Sequence, residues 1–288
     1  MRSRSLRLRL LAAGALAATI GAGSLGCASS QAATSGEPTA RGARPKHERG
    51  ADETAVVGPT DAQRRARMHY EVAIERMRSG RNPEAIGELL QAVRLDPADA
   101  NIRLALAEAY RRGGRIAETE VHLKAALEID PAFQSAHLNL SGLYIQLERY
   151  EEATVHAQRL LDDATFPHPW RALTNLGWAE YKLGRFDEAS QHLRLALDYK
   201  ESYWPARLNL GILAADQGDR DQAVEHFERV LEAQPGPLAE AEARYRLAEL
   251  YVSMGDKRSA IAQLNKASDL RPSGPWGKRS AEYLLSLQ

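Results

Sequence analysis

Few residues in this 288-residue chain are of types and spacings that carry chemistry. Cys27 is the single thiol, so disulfide frameworks and multi-thiolate metal sites within the chain are excluded. His122, His156, His192 and His226 recur at intervals of 34, 36 and 34 residues. Imidazoles in a row suggest metal ligation or proton uptake. Leu138, Ile145, Trp178, Tyr181, Leu208 and Ile212 are large apolar residues that share two or three positions of a repeating unit. Such a set anchors an apolar or amphipathic partner segment. The sequence contains no Gly-rich phosphate loop and no HExxH metal motif. The carboxylates fall where solvated helical faces would put them, so no catalytic constellation remains and the chain reads as a non-enzyme.

Composition limits what can position these residues. Lys plus Arg and Asp plus Glu each number 38, hydrophobic residues make up 44% and aromatics 6%, and mean hydropathy is −0.44. Balanced charge argues against a nucleic-acid binder, which needs clustered excess cation. The low hydropathy excludes a multi-span membrane protein. Cys27 closes a leader in which Arg2, Arg4, Arg7 and Arg9 precede an apolar run through Leu10, Leu11, Leu16 and Ile20 to Ser24-Leu25-Gly26. A basic start, a short apolar run and small residues at the cut mark an export signal. Loss of this leader removes four arginines and no acid, leaving 34 cationic against 38 acidic residues. Residues 27–65 carry six basic and five acidic residues among Ser, Ala, Gly, Thr and Pro, with no apolar period, and read as a disordered tether.

From Ala66 the chain repeats with a period of 34, in units starting at Ala66, Ala100, Gln134, Trp170, Trp204 and Ala241. Position 7 is aliphatic throughout (Val72, Leu106, Leu140, Leu176, Leu210, Leu247) and position 8 small (Ala73, Ala107, Ser141, Gly177, Gly211, Ala248). Position 15 is glycine in five units and Glu148 in the third. Pro97, Pro131, Pro235 and Pro272 close four of the units. The physical reading is a helix–turn–helix. Large residues at 7 and 24 fill the space between antiparallel helices, small residues at 8, 20 and usually 27 let them approach, and glycine takes the left-handed turn. Proline then stops the second helix. The third unit departs from the pattern at Glu148, Ala157 and Leu160 before the segment DDATFPHP, so a local irregularity is expected there. Residues 275–288 read as one capping helix, with Tyr283, Leu284 and Leu287 covering the last unit.

These units resemble the tetratricopeptide repeat. The resemblance implies an all-α, right-handed superhelical solenoid of six repeats over 66–274 plus the cap, a concave surface lined by first helices, and no cofactor or metal. Positions 5, 9 and 12 then put Leu138, Ile145, Trp178, Tyr181, Leu208 and Ile212 on one inner wall, flanked by Arg111, Arg112, Arg171 and Lys182; packing between helices is the other reading of these positions. The four histidines share position 23, which places them on the outward side of the second helices. Packed helices lie about 8–10 Å apart, too far for one metal ion to join two rungs. A pH-sensing face or an ordinary surface residue at a tolerant position remain as readings.

The leader ending in Cys27 resembles a bacterial lipoprotein signal, although such signals prefer Leu where this chain has Ser24. That resemblance implies cleavage after residue 26, lipid on Cys27, and attachment to the periplasmic side of the outer membrane. The whole arrangement of signal, tether, six units and cap is similar to the type IV pilus lipoproteins of the PilF/PilW/Tgl group. By that resemblance the partner is a secretin subunit or another envelope-assembly protein. An outer-membrane-protein assembly or peptidoglycan-machinery scaffold, and an inner-membrane or cytoplasmic adaptor, are the alternatives.

Overall fold

A computed structural model describes residues 58–287, which form thirteen α-helices and no strand. The helices are α1 (Asp61–Arg78), α2 (Asn82–Leu95), α3 (Ala100–Arg112), α4 (Ile116–Ile129), α5 (Gln134–Gln146), α6 (Tyr150–Leu161), α7 (Pro169–Lys182), α8 (Phe186–Tyr199), α9 (Trp204–Gln217), α10 (Arg220–Glu232), α11 (Pro237–Ser253), α12 (Lys257–Leu270) and α13 (Pro275–Leu287). Successive pairs pack as antiparallel hairpins, and each hairpin stacks on the next. The result is the expected all-α solenoid of six units. Cys27, the expected export signal and the expected tether up to residue 57 lie outside the described residues. The tether expectation fails at its last residues, because α1 starts at Asp61 rather than near Ala66. The cause is a capping box. The Gln63 backbone N–H donates to the Thr60 hydroxyl, and the Thr60 N–H donates to the Gln63 side chain.

The small residue at position 8 and the large one at 24 act as the sequence implies, whereas position 7 packs against the preceding unit rather than within its own. A Cβ placed on Gly211 would sit 2.7 Å from the Phe227 ring, and one on Gly177 2.8 Å from Leu193. Only glycine at position 8 lets these helix pairs close on a large residue at position 24. The five turn glycines, Gly80, Gly114, Gly184, Gly218 and Gly255, have φ between 71° and 83°. In the third unit Glu148 is driven into the same left-handed region, with φ 58°. That conformation costs a non-glycine residue about 1–2 kcal/mol. The third unit also exchanges volumes: Ala157 stands at position 24 and Leu160 at 27, both buried, and the fully buried Tyr144 fills space alongside. Its second helix, α6, is the shortest at 12 residues. Residues 162–168 then run irregularly to α7, with Asp163 accepting from the Thr165 backbone N–H and hydroxyl and from the Gln134 amide.

At the C-terminal end, Tyr283, Leu284 and Leu287 of α13 pack against Ala248, Ala260 and Leu264. Trp276 is 3% exposed, with the guanidinium groups of Arg246 and Arg279 5.3 and 4.9 Å from its ring centroid. Gly277 is obligatory here, since a Cβ on it would lie 2.0 Å from the Arg271 carbonyl oxygen.

Candidate protein-interaction surface

The inner wall is built by α5, α7 and α9. The structure brings together Ile145, Trp178, Leu208 and Ile212 in one buried cluster, with Tyr181 packed against it. It does not leave them open. Trp178 is 8% exposed, Ile145 and Leu208 7%, and Ile212 5%. The expected open apolar wall is therefore corrected: these four side chains are core, because successive first helices approach closely enough for positions 9 and 12 to meet across units. Leu138 and Tyr181 alone among the six stay half-buried.

What the wall offers to solvent is a polar and aromatic rim over that core. Lys182 places its ammonium 5.8 Å from the Tyr150 and Trp178 ring centroids and 5.9 Å from that of Tyr181. The Tyr181 hydroxyl donates to Asp216 across to the next unit. Burial and that hydrogen bond push its pKa well up, so Tyr181 remains a neutral donor. On the N-terminal side of the wall, Arg111 grips Glu108 with two hydrogen bonds of 2.7 and 2.9 Å, and Arg112 adds a third. Burial of Glu108 works against its charge, but these bonds outweigh it and hold the carboxyl below its ordinary range. Arg111 and Arg112 are thus engaged with a carboxylate rather than free for a partner.

Nor do the histidines stand on an outward ladder. All four are half-buried, and His122, His156 and His192 lean back onto the first helix of their own unit. His122 stacks on Tyr110 at 5.4 Å with a 10° interplanar angle. His192 Nδ1 lies 2.6 Å from Glu180. His156 Nδ1 meets His137 Nδ1 at 2.8 Å, while His137 Nε2 lies 3.0 Å from the Pro131 carbonyl. A carbonyl only accepts, so His137 carries its proton on Nε2. His156 must then donate through Nδ1, which leaves its own Nε2 without a proton when the ring is neutral. Burial first, then the neighbouring His137, lowers the His156 pKa to about 4. Burial also lowers those of His122 and His226, whose Nδ1 atoms are buried without a hydrogen-bond partner in the described residues.

Sequence reasoning missed that position 23 meets the first helix of its own unit, at position 4 in the first, third and sixth units and at position 11 in the second and fourth. His69 pairs with Glu88 at 2.6 Å in the first unit, His137 with His156 in the third, and Arg244 with Gln263 at 2.9 Å in the sixth. Complementary residue types 19 apart were the available signal. Beside the third-unit pair, at the irregular connection, lies an open cleft of about 580 Å³ lined by residues including His137, His156, Arg159, Glu180 and Arg185. Among the described residues no group of three or more His, Cys, Asp or Glu converges as a metal site, and no helix is long and apolar enough to cross a membrane.

Comparison with known proteins agrees with this architecture. Tetratricopeptide-repeat family profiles match residues 133–202 and 205–273, and a further one matches 75–114. PilW, described as a widely conserved type IV pilus biogenesis factor, superimposes with a TM-score of 0.66 at 21% identity, over 74% of this chain and 97% of its own. PilF of Pseudomonas aeruginosa gives 0.63 at 18% identity, over 78% of this chain and 100% of its own. The Cut9–Hcn1 hetero-tetramer of APC/C gives 0.65 at 17% identity, over 77% of this chain but only 43% of the matched one. At these identities the likeness is one of fold. No curated protein matches the chain by sequence.

Proposed function

The chain belongs to the tetratricopeptide-repeat family, and on that premise we propose that it is a non-enzymatic scaffold of the bacterial envelope, lipid-anchored through Cys27. It sits at the periplasmic side of the outer membrane in this reading. Its task there is that of a pilotin, helping secretin subunits assemble for type IV pili. Extent is the observation that carries the proposal: PilW and PilF are matched over 97% and 100% of their lengths, by a chain whose leader ends in a lipoprotein-like Cys27. Two or more acyl chains would anchor firmly, since each buried methylene contributes about 0.8 kcal/mol. Partner contact falls on the rim of the inner wall, at Leu138, Tyr181 and Lys182, because the larger apolar residues beneath are core.

Two measurements test this. Palmitate labelling is expected in the wild type and absent in Cys27→Ala; a labelled mutant would sink the anchor. In cells lacking the protein, the wild-type chain is expected to restore secretin multimers in the outer membrane, and Lys182→Glu with Leu138→Arg to restore few. Full multimer assembly without the protein removes the pilotin role. Full rescue by the double variant removes the rim.

A further inference from the structure

Positions 3, 7 and 10 of each first helix face the preceding unit. In the second to sixth units they are apolar and sealed: Ile102, Leu106 and Ala109 are 2%, 0% and 0% exposed, and Ala243, Leu247 and Leu250 are 0%, 0% and 7%. The first unit has no preceding neighbour among the described residues. Met68 and Val72 there are 64% and 43% exposed, and position 10 is an exposed Glu75. Helical geometry puts Arg65, Met68, Val72 and Glu75 in one stripe along α1. Arg65 is exposed and makes no ion pair within the described residues, while Glu75 holds Arg78 only loosely, at 3.7 Å.

The order of the stripe, cation, apolar, apolar, anion, is complementary to its own reversal. We propose that this face of α1 is the docking site for α1 of a second copy, with the two helices antiparallel about a two-fold axis between Met68 and Val72. Met68 of each copy packs on Val72 of the other, and each Arg65 meets the other copy's Glu75. An isologous contact of this kind satisfies both copies at once and closes the assembly at two. The chain preceding α1 leaves from opposite ends of the pair, about 27 Å apart for an 18-residue helix, and so does not obstruct the centre. A single helix face buries less than the 1,200–2,000 Å² typical of stable complexes, so the dimer is weak and concentration-dependent.

Sedimentation velocity on the full-length chain tests this between about 1 μM and 100 μM, a range suited to an interface of this size. The wild type is expected to pass from monomer to dimer across it. Met68→Glu with Val72→Glu is expected to stay monomeric with unchanged helicity by circular dichroism. Arg65→Glu alone weakens association by about tenfold, and Arg65→Glu with Glu75→Arg restores it to within about threefold of wild type. Should the Met68/Val72 double variant prove poorly folded, the two charge variants decide alone. A wild type monomeric at every concentration overturns the proposal, whether the face is bare, covered by the chain's own leader or kept for a different protein. Dimer persisting in the double glutamate variant, or a charge swap that restores nothing, overturns it too.

Discussion

At the C-terminal end α13 lays Trp276, Tyr283, Leu284 and Leu287 over the sixth unit, while at the N-terminal end Met68 and Val72 of the first unit meet solvent. Both ends of a repeat array face the same difficulty, an apolar stripe shaped for a neighbour that is not there. The last unit closes its largely apolar end with an added helix. The first unit instead replaces the position-10 residue with Glu75 and flanks what remains with Arg65. A covered end contributes stability, whereas a half-converted end leaves a small surface for recognition. The electrostatics also differ along the array. At the closed end Glu242 is 5% exposed, with Arg246 3.8 Å from an otherwise unpartnered oxygen. Burial, opposed by Arg246 and Arg279, pushes its pKa up to about 7. In the second and third units burial lowers His122 and His156 instead.

This contrast can be broken experimentally. The largest effect is expected from Trp276→Ala, which empties a buried ring site and should destabilise the chain by about 3–5 kcal/mol in denaturant unfolding. Early proteolysis within α13 should accompany it, and an unchanged unfolding midpoint would mean the cap is ornamental. Next is Glu242→Gln. Because its folded pKa is raised, the stability linked to Glu242 is present below about pH 4.5 and lost as pH rises through about 7. Removing the charge should therefore stabilise the protein at pH 8 by about 1–3 kcal/mol and flatten that part of the pH profile. A melting temperature at pH 8 equal to wild type would show that the carboxylate is solvated after all.

His156→Phe has the opposite pH signature and a smaller size. A lowered histidine pKa means stability is present above about 6.5 and lost as pH falls towards about 4. Phenylalanine keeps the ring contact with Tyr144, at 5.5 Å in the native pair, and cannot be protonated. The variant should lose less stability than wild type between pH 6.5 and 4.5, and equal acid losses would sink the assignment. Smallest is Val72→Ser at the open end, expected within about 0.5 kcal/mol of wild type for the monomer in dilute solution. A loss of 2 kcal/mol there would mean the face is covered.

Much of the fold was legible because its cause is steric and local. Gly177 opposite Leu193, Gly211 opposite Phe227 and the turn glycines each require a residue type that spacing alone reveals. Glu148 at a glycine position and the segment after Leu160 pointed to the irregular third unit for the same reason. The site was less legible. Position 23 looked outward because the pattern along one helix does not record how far a side chain reaches towards its partner helix, yet His122, His156 and His192 lean back onto the first helix of their own unit. Trp178 and Ile212 looked open because the distance between successive first helices depends on how the units stack, which no spacing within a unit records. The start of α1 was missed by five residues, although Thr60 and Gln63 carry the capping signal.

The abrupt start at Thr60 has a mechanical consequence. Among the described residues, tension applied ahead of Thr60 enters through α1, a helix held by α2 and only sparsely by α3. Because each repeat contacts only its neighbours, a pull from that side is expected to release the α1–α2 hairpin first and the capped units last. On that expectation a load applied at α1 reaches the inner wall of α5, α7 and α9 only after the first two units have yielded.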